Sequence, residues 1–140
     1  MYADFLKTMV KCPFCNLKKE EIIKQNKFAR VVLAKAPYHK DHLLVVPKRH
    51  VLKISQLNKN ELEAISSLVF WAGKKLEKKH HNLSILYREG NKKEVGKSID
   101  HFHVNLIPDE KIGSIKINRQ GRKFLSEKEY LKRIKELNFK

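Results

Sequence analysis

Residues 101–108 read His101-Phe102-His103-Val104-Asn105-Leu106-Ile107-Pro108, with polar and apolar side chains in alternation. A period of two belongs to a strand, because successive side chains leave opposite faces of an extended backbone. The spacing predicts a strand over about 101–107 with His101, His103 and Asn105 on one face. Phe102, Val104 and Leu106 fall on the other, where they are expected to meet a core. Two imidazoles and an amide on one face suit a metal ligand, a nucleophile or a proton carrier.

Working outward, residues 28–35 and 42–46 are short apolar runs parted by a polar, Pro-containing segment at 36–41, the pattern of neighbouring strands joined by a turn. From Asn58 the period changes. Leu62, Ile65, Val69, Ala72 and Leu76 recur at helical spacing, and Asn58 with Glu61 forms an N-terminal capping pair. His80, His81 and Asn82 end that helix; Leu83 to Tyr87 reads as a strand and Glu89 to Lys97 as a polar loop with Gly90 and Gly96. A second helix is predicted over 126–138, with Ser126 and Glu129 as its capping box and Tyr130, Ile134 and Leu137 on one face. The economical assembly is an α+β domain, an antiparallel sheet with one long helix and peripheral helices.

The 140 residues predict one domain, 1–140, able to bury roughly 70% of its unfolded surface without disulfides. No apolar run approaches the roughly 20 residues that span a bilayer, and the start is too short in apolar residues for a signal peptide, so a cytoplasmic protein with no membrane partner is expected. Thirty-one Lys and Arg against fifteen Asp and Glu give a net charge of +16, which favours anionic partners such as nucleotides or RNA. These charges are spread along the chain, the pattern of a Lys-rich composition as much as of a nucleic-acid groove.

Cys12 and Cys15 are the whole supply of thiols. Their spacing points to metal or redox chemistry rather than a structural disulfide, with a buried reduced pair as the bland alternative. Zinc takes four ligands, and His50 and His101 are imidazoles available from separate parts of the chain to join the two thiolates. The redox reading rests on Cys12-Pro-Phe-Cys15, which is similar to a glutaredoxin tetrapeptide but lacks that fold's second proline loop and Gly-Gly turn.

Four segments in order, Cys12-Pro-Phe-Cys15, His42-Leu-Leu-Val-Val-Pro-Lys-Arg-His50, Gly96-Lys97-Ser98 and the motif strand from His101 to Pro108, make the chain resemble the histidine triad (HIT) superfamily over about 12–108. The helix at about 126–138 stands outside that resemblance. The resemblance implies a nucleotide hydrolase or nucleotidyl transferase in which His103 attacks the α-phosphorus of a dinucleoside polyphosphate or nucleotide conjugate and forms a covalent nucleotidyl-histidine. It implies phosphate contacts from Ser98, close approach at Gly96 and the loop amide of Lys97, and His42 beside the nucleophile. It further implies a structural zinc on Cys12, Cys15, His50 and His101, and a homodimer pairing through Leu57 to Lys78 and an edge strand.

Several positions depart from the family pattern. Asn105 replaces the third histidine; it donates and accepts but does not titrate, so His103 is expected to act without a proton relay there. Ala34 stands where relatives place the acidic residue that holds ribose hydroxyls. Arg88 stands near where an Asn is common, with Asn91 as its substitute, and Asp109 replaces an Arg. Asn105 and Ala34 keep open the alternative of a catalytically inactive, zinc-stabilised nucleotide- or RNA-binding module.

Overall fold

Ala29–Leu33 and Leu43–Pro47 carry apolar side chains on both faces, which forces them to the centre of a sheet covered on both sides. In the computed structural model, which describes residues 12–89, 99–110 and 124–137, they are β2 and β3 of a five-stranded antiparallel sheet. β1 is Ile22–Gln25, β4 is Leu83–Leu86 and β5 is Val104–Pro108, and the spatial order is β1-β2-β3-β5-β4. The long helix α1 spans Lys59–Glu77 and the second helix α2 spans Glu127–Leu137. Among the described residues no helix is long and apolar enough to cross a membrane.

Alternation sorts the sheet into two packing faces. Val31, Leu33, Leu43, Val45, Phe102 and Leu106 join Ile65, Leu68, Ala72 and Leu76 of α1 in the larger core. Val32, Ala34, Leu44 and Val46 face the other way, against Cys12 and Phe14. Burying each such Leu or Val stabilises the fold by about 2 kcal/mol, so the two clusters together fix the register. That register pairs Leu44 with Asn105 and Val45 with Val104, placing Asn105 on the Cys12 face and Val104 on the helix face.

α1 starts where the capping pair predicts. Asn58 Oδ1 accepts from the Glu61 amide at 2.9 Å, and Glu61 Oε1 accepts from the Asn58 amide at 3.0 Å. Leu62, expected on the core face, is 43% exposed, as is much of Phe70 at 69%. At the second helix the Glu129 amide donates to Ser126 Oγ, Tyr130 and Leu137 are buried, and Ile134 packs on the larger core. Tyr130 donates its hydroxyl to the Leu33 carbonyl at 2.7 Å, pinning α2 to the end of β2.

Two strands differ from what the sequence predicts. β5 begins at Val104 rather than 101, because the Phe102 amide leaves the ladder and donates to the Val51 carbonyl at 2.7 Å. β1 has no counterpart among the predicted elements: it is a four-residue edge strand, half exposed and with a register irregularity, so its alternation is too short to register. It is returned onto β2 by Asn26, whose Oδ1 accepts from the amides of Phe28 and Ala29.

Candidate functional site

Three local devices bring Cys12, Cys15, His50 and His101 together. Pro13 suits the tight turn closed by the Cys15 amide on the Cys12 carbonyl, 3.2 Å, which sets both thiols on one side. Arg49 clamps Glu61 with Nε at 3.0 Å and Nη2 at 2.7 Å, anchoring the segment that carries His50 to the start of α1. The Val51 carbonyl to Phe102 amide bond then brings His101 alongside His50.

One donor atom from each of the four lies within 4.8 Å of every other. Cys12 Sγ is 3.2 Å and Cys15 Sγ 3.5 Å from His101 Nδ1, Cys15 Sγ is 3.1 Å from His50 Nδ1, and the two Nδ1 atoms are 3.1 Å apart. A tetrahedral zinc with bonds of about 2.3 Å to sulfur and about 2.1 Å to nitrogen requires donor separations of roughly 3.3–3.8 Å, so the set needs only a slight expansion. The ring of His101 is already turned to ligate. Its Nε2–H donates to the Pro47 carbonyl at 2.9 Å, which leaves the lone pair on Nδ1, facing the thiols.

Burial lowers the His101 imidazole to about 4 despite the favourable bond to Pro47, and burial also lowers His50. Both rings are thereby held neutral, as ligation requires. Burial, reinforced by Cys12, pushes the Cys15 thiol up to about 12.

Beside this cluster on the same sheet face, His103 is 9% exposed and its Nδ1–H donates to the His101 carbonyl at 2.7 Å. The lone pair therefore resides on Nε2. Phe14 packs edge-on against both His101 and His103, with ring centroids 5.5 Å away in each case. The sequence marks Phe14 only as part of its tetrapeptide, and aromatic packing of this kind leaves no further trace in spacing.

His42 and Asn105 form a directed chain of hydrogen bonds. The Tyr38 amide, which can only donate, reaches His42 Nδ1 at 3.2 Å. His42 Nε2–H then donates to Asn105 Oδ1 at 2.9 Å, and Asn105 Nδ2 donates to the Leu86 carbonyl, which can only accept, at 3.3 Å. The fixed polarity of the two backbone ends determines both the His42 tautomer and the Asn105 rotamer. The Tyr38 amide and the Leu86 and Pro47 carbonyls are invisible in the sequence because any residue supplies such groups.

The remaining expected positions divide. Ser98, Gly96, Lys97 and Asn91 lie outside the described residues, and Arg88 is half-buried just past β4. Ala34 contributes only a methyl group to the cluster of Cys12, Phe14 and Leu44. Asp109, which replaces the family's Arg, binds His80: its Oδ2 lies 2.7 Å from His80 Nδ1.

Residues 16–112 match the family model of the HIT domain. The chain is 27% identical over 127 residues to an uncharacterised HIT-like protein of Mycoplasma genitalium, covering 86% of this chain and 90% of that one. It is 28% identical over 101 residues to the adenosine 5'-monophosphoramidase hnt1 of Schizosaccharomyces pombe, covering 69% and 73%. Among solved structures, a zinc-bound histidine triad family protein from Mycobacterium smegmatis superposes with a TM-score of 0.61 at 15% identity, covering 92% of this chain and 94% of that one.

Proposed function

Because the chain belongs to the HIT domain family, we propose that it is a nucleotide hydrolase or nucleotidyl transferase working through a covalent nucleotidyl-histidine on His103. The observation that carries this is the His103 tautomer, with Nδ1–H on the His101 carbonyl and the lone pair on Nε2. In the first step Nε2 forms a bond to the α-phosphorus while the bond to the leaving group breaks, and the leaving group departs with the electron pair. The ring becomes cationic, and its Nδ1–H bond to the His101 carbonyl strengthens as it does so. In the second step water or a phosphate acceptor attacks the same phosphorus and Nε2 recovers its electron pair.

Asn105 holds His42 in one tautomer without offering a proton, so the leaving group takes its proton from solvent water. That arrangement suits transfer to a non-water acceptor as well as hydrolysis. Ser98, with the amides around Gly96 and Lys97, is assigned to the equatorial phosphate oxygens, and Arg88 and Asn91 to the rest of the substrate. Nucleotide conjugates are the favoured substrates, in keeping with the activity named for the fission-yeast relative.

Cys12, Cys15, His50 and His101 are the residues that would hold zinc. When bound it supplies a structural tie rather than a reactive centre, locking the turn at Cys12 to the backbone whose carbonyl orients His103. A homodimer is part of the reading: α1 and β4 present a cavity of about 570 Å³ lined by Leu62, Val69, Phe70 and Ile85, large apolar side chains at a sheet edge. We place the protein in the cytoplasm, where both thiols stay reduced.

Ala34 favours a second reading, a binding module without turnover, because its methyl group offers ribose hydroxyls no partner. Incubation with adenosine phosphoramidate and with dinucleoside polyphosphates, with and without inorganic phosphate, separates the two. Turnover that vanishes in His103→Ala supports the enzyme; salt-sensitive binding without turnover, indifferent to His103→Ala, supports the module.

A further inference from the structure

We infer that His39, Asp41 and His80 form a second divalent-metal site, on the other side of the turn that carries His42. One donor atom from each lies within 4.8 Å of the others. The side chains of His80 and Asp41 are only 9% and 10% exposed, so this is a built cluster and not a surface coincidence. It shares no residue with the cluster at Cys12 and plays no part in the chemistry assigned to His103.

The orientation of His80 makes the case. Its Nε2 lies 2.7 Å from Asp41 Oδ2, and its Nδ1 lies 2.7 Å from Asp109 Oδ2. Asp109 is itself held, with Oδ1 accepting from the Asn82 amide at 2.9 Å and the backbone at φ 52°, a left-handed conformation that Asp tolerates better than most residues. A histidine whose outer nitrogen donates to a fixed carboxylate presents its inner nitrogen to a metal with the right tautomer and raised basicity. The Pro47 carbonyl does the same for His101 in the first cluster.

His39 stands edge-on to His80, ring centroids 5.0 Å apart at 89°, and its Nδ1 accepts from the Asp41 amide at 3.0 Å. A ring nitrogen of His39 supplies the third donor once the ring turns away from that amide. Binding forms two metal–nitrogen bonds and one metal–oxygen bond, releases the proton between His80 and Asp41 to solvent, and frees the Asp41 amide; no electrons are exchanged. A cavity of about 390 Å³ opens beside Asp41 and His80, with room for water on the remaining coordination positions. Its other charges, three cationic from Lys40, Lys79 and Arg133 and two anionic from Glu129 and Glu136, leave one positive charge over. Two imidazoles and a carboxylate without thiolate select zinc, cobalt or nickel over calcium or magnesium, and bind them more weakly than the first cluster.

Occupancy would stiffen the turn that carries His42, since the His42 amide donates to the His39 carbonyl at 3.0 Å. Titration of the full chain with Co²⁺, followed by optical absorption, tests the site. The first equivalent should bring the thiolate-to-cobalt charge-transfer band of the Cys12 cluster, and a second, at least tenfold weaker, should add only nitrogen and oxygen ligand-field bands. Asp41→Asn and His80→Gln should each remove the second equivalent and leave the thiolate band, which also reports that the variant is folded. In the wild type the ring resonances of His39 and His80 should shift as the nitrogen and oxygen ligand-field bands grow, a readout independent of any variant. Absence of a second equivalent, its persistence in both folded variants, or unmoved His39 and His80 resonances would each overturn the site.

Discussion

His103 donates Nδ1–H to the backbone carbonyl of His101 at 2.7 Å, while the His101 ring turns its own N–H to Pro47. Two histidines a single residue apart are thus given opposite tautomers and different roles. His101 presents Nδ1 to the thiols and His103 keeps its lone pair on Nε2, so the proposed metal centre and nucleophile share a backbone but not an electron pair.

Removing the imidazole should abolish chemistry without unfolding the protein. His103→Ala is expected to lower kcat/KM on adenosine phosphoramidate by at least about 1000-fold, since loss of a nucleophile leaves only binding and electrostatic contributions. Steady-state kinetics on the folded variant, with circular dichroism alongside, check it.

Asn105→Leu should destabilise the fold by about 2 kcal/mol, because His42 Nε2–H and the Leu86 carbonyl each lose a partner. It should also slow turnover, as His42 is no longer held. Denaturant unfolding measures the first effect and kcat the second; an unchanged midpoint would mean that the hydrogen-bond chain from Tyr38 contributes nothing.

The strand Val104–Pro108 is legible because a strand's period needs no tertiary information, but its start is not, since the Phe102 amide is drawn to the Val51 carbonyl by the fold. The capping pair Asn58 and Glu61 is legible for the same local reason. Leu62 is not, since helical spacing marks an apolar stripe but not whether a core or a partner covers it. The His39, Asp41, His80 and Asp109 cluster is hidden altogether: the turn at 39–41, the residues after α1 and the end of β5 lie far apart in sequence, and only the fold makes them neighbours.

A strong chelator should lower the thermal midpoint of the zinc-loaded protein by roughly 10 °C, because metal binding at Cys12, Cys15, His50 and His101 is linked to folding. Cys15→Ser should show the lower midpoint from the start and no longer retain zinc at this cluster. Elemental analysis and calorimetry of both proteins test the linkage.

Acid should weaken the fold in two stages with the same sign. In the metal-free protein burial lowers the His101 imidazole to about 4 against 6.5 when unfolded, so the unfolded state binds the extra proton and stability falls as pH drops from 6.5 towards 4, by about 3 kcal/mol at most. Arg49 holds the Glu61 carboxyl below its ordinary 4.5, so its contribution is present above that pH and is lost as pH falls through the lower folded value. Urea unfolding across this range should show Glu61→Gln losing the second stage and keeping the first.

Phe70→Glu places a charge in the apolar groove between α1 and β4 and should convert a dimer to a folded monomer. Light scattering on the wild type and the variant reads this directly. A wild type that is monomeric at micromolar concentration would remove the proposed dimer.

The most direct test of the central claim is capture of the intermediate. The protein is mixed with an α-phosphorus-labelled nucleotide phosphoramidate, quenched in alkali within the first turnover, digested, and analysed by mass spectrometry. The account predicts one nucleotidyl group, labile to acid, on the peptide bearing His103, and none in His103→Ala. Turnover with no such adduct, or an adduct on another residue, would contradict it.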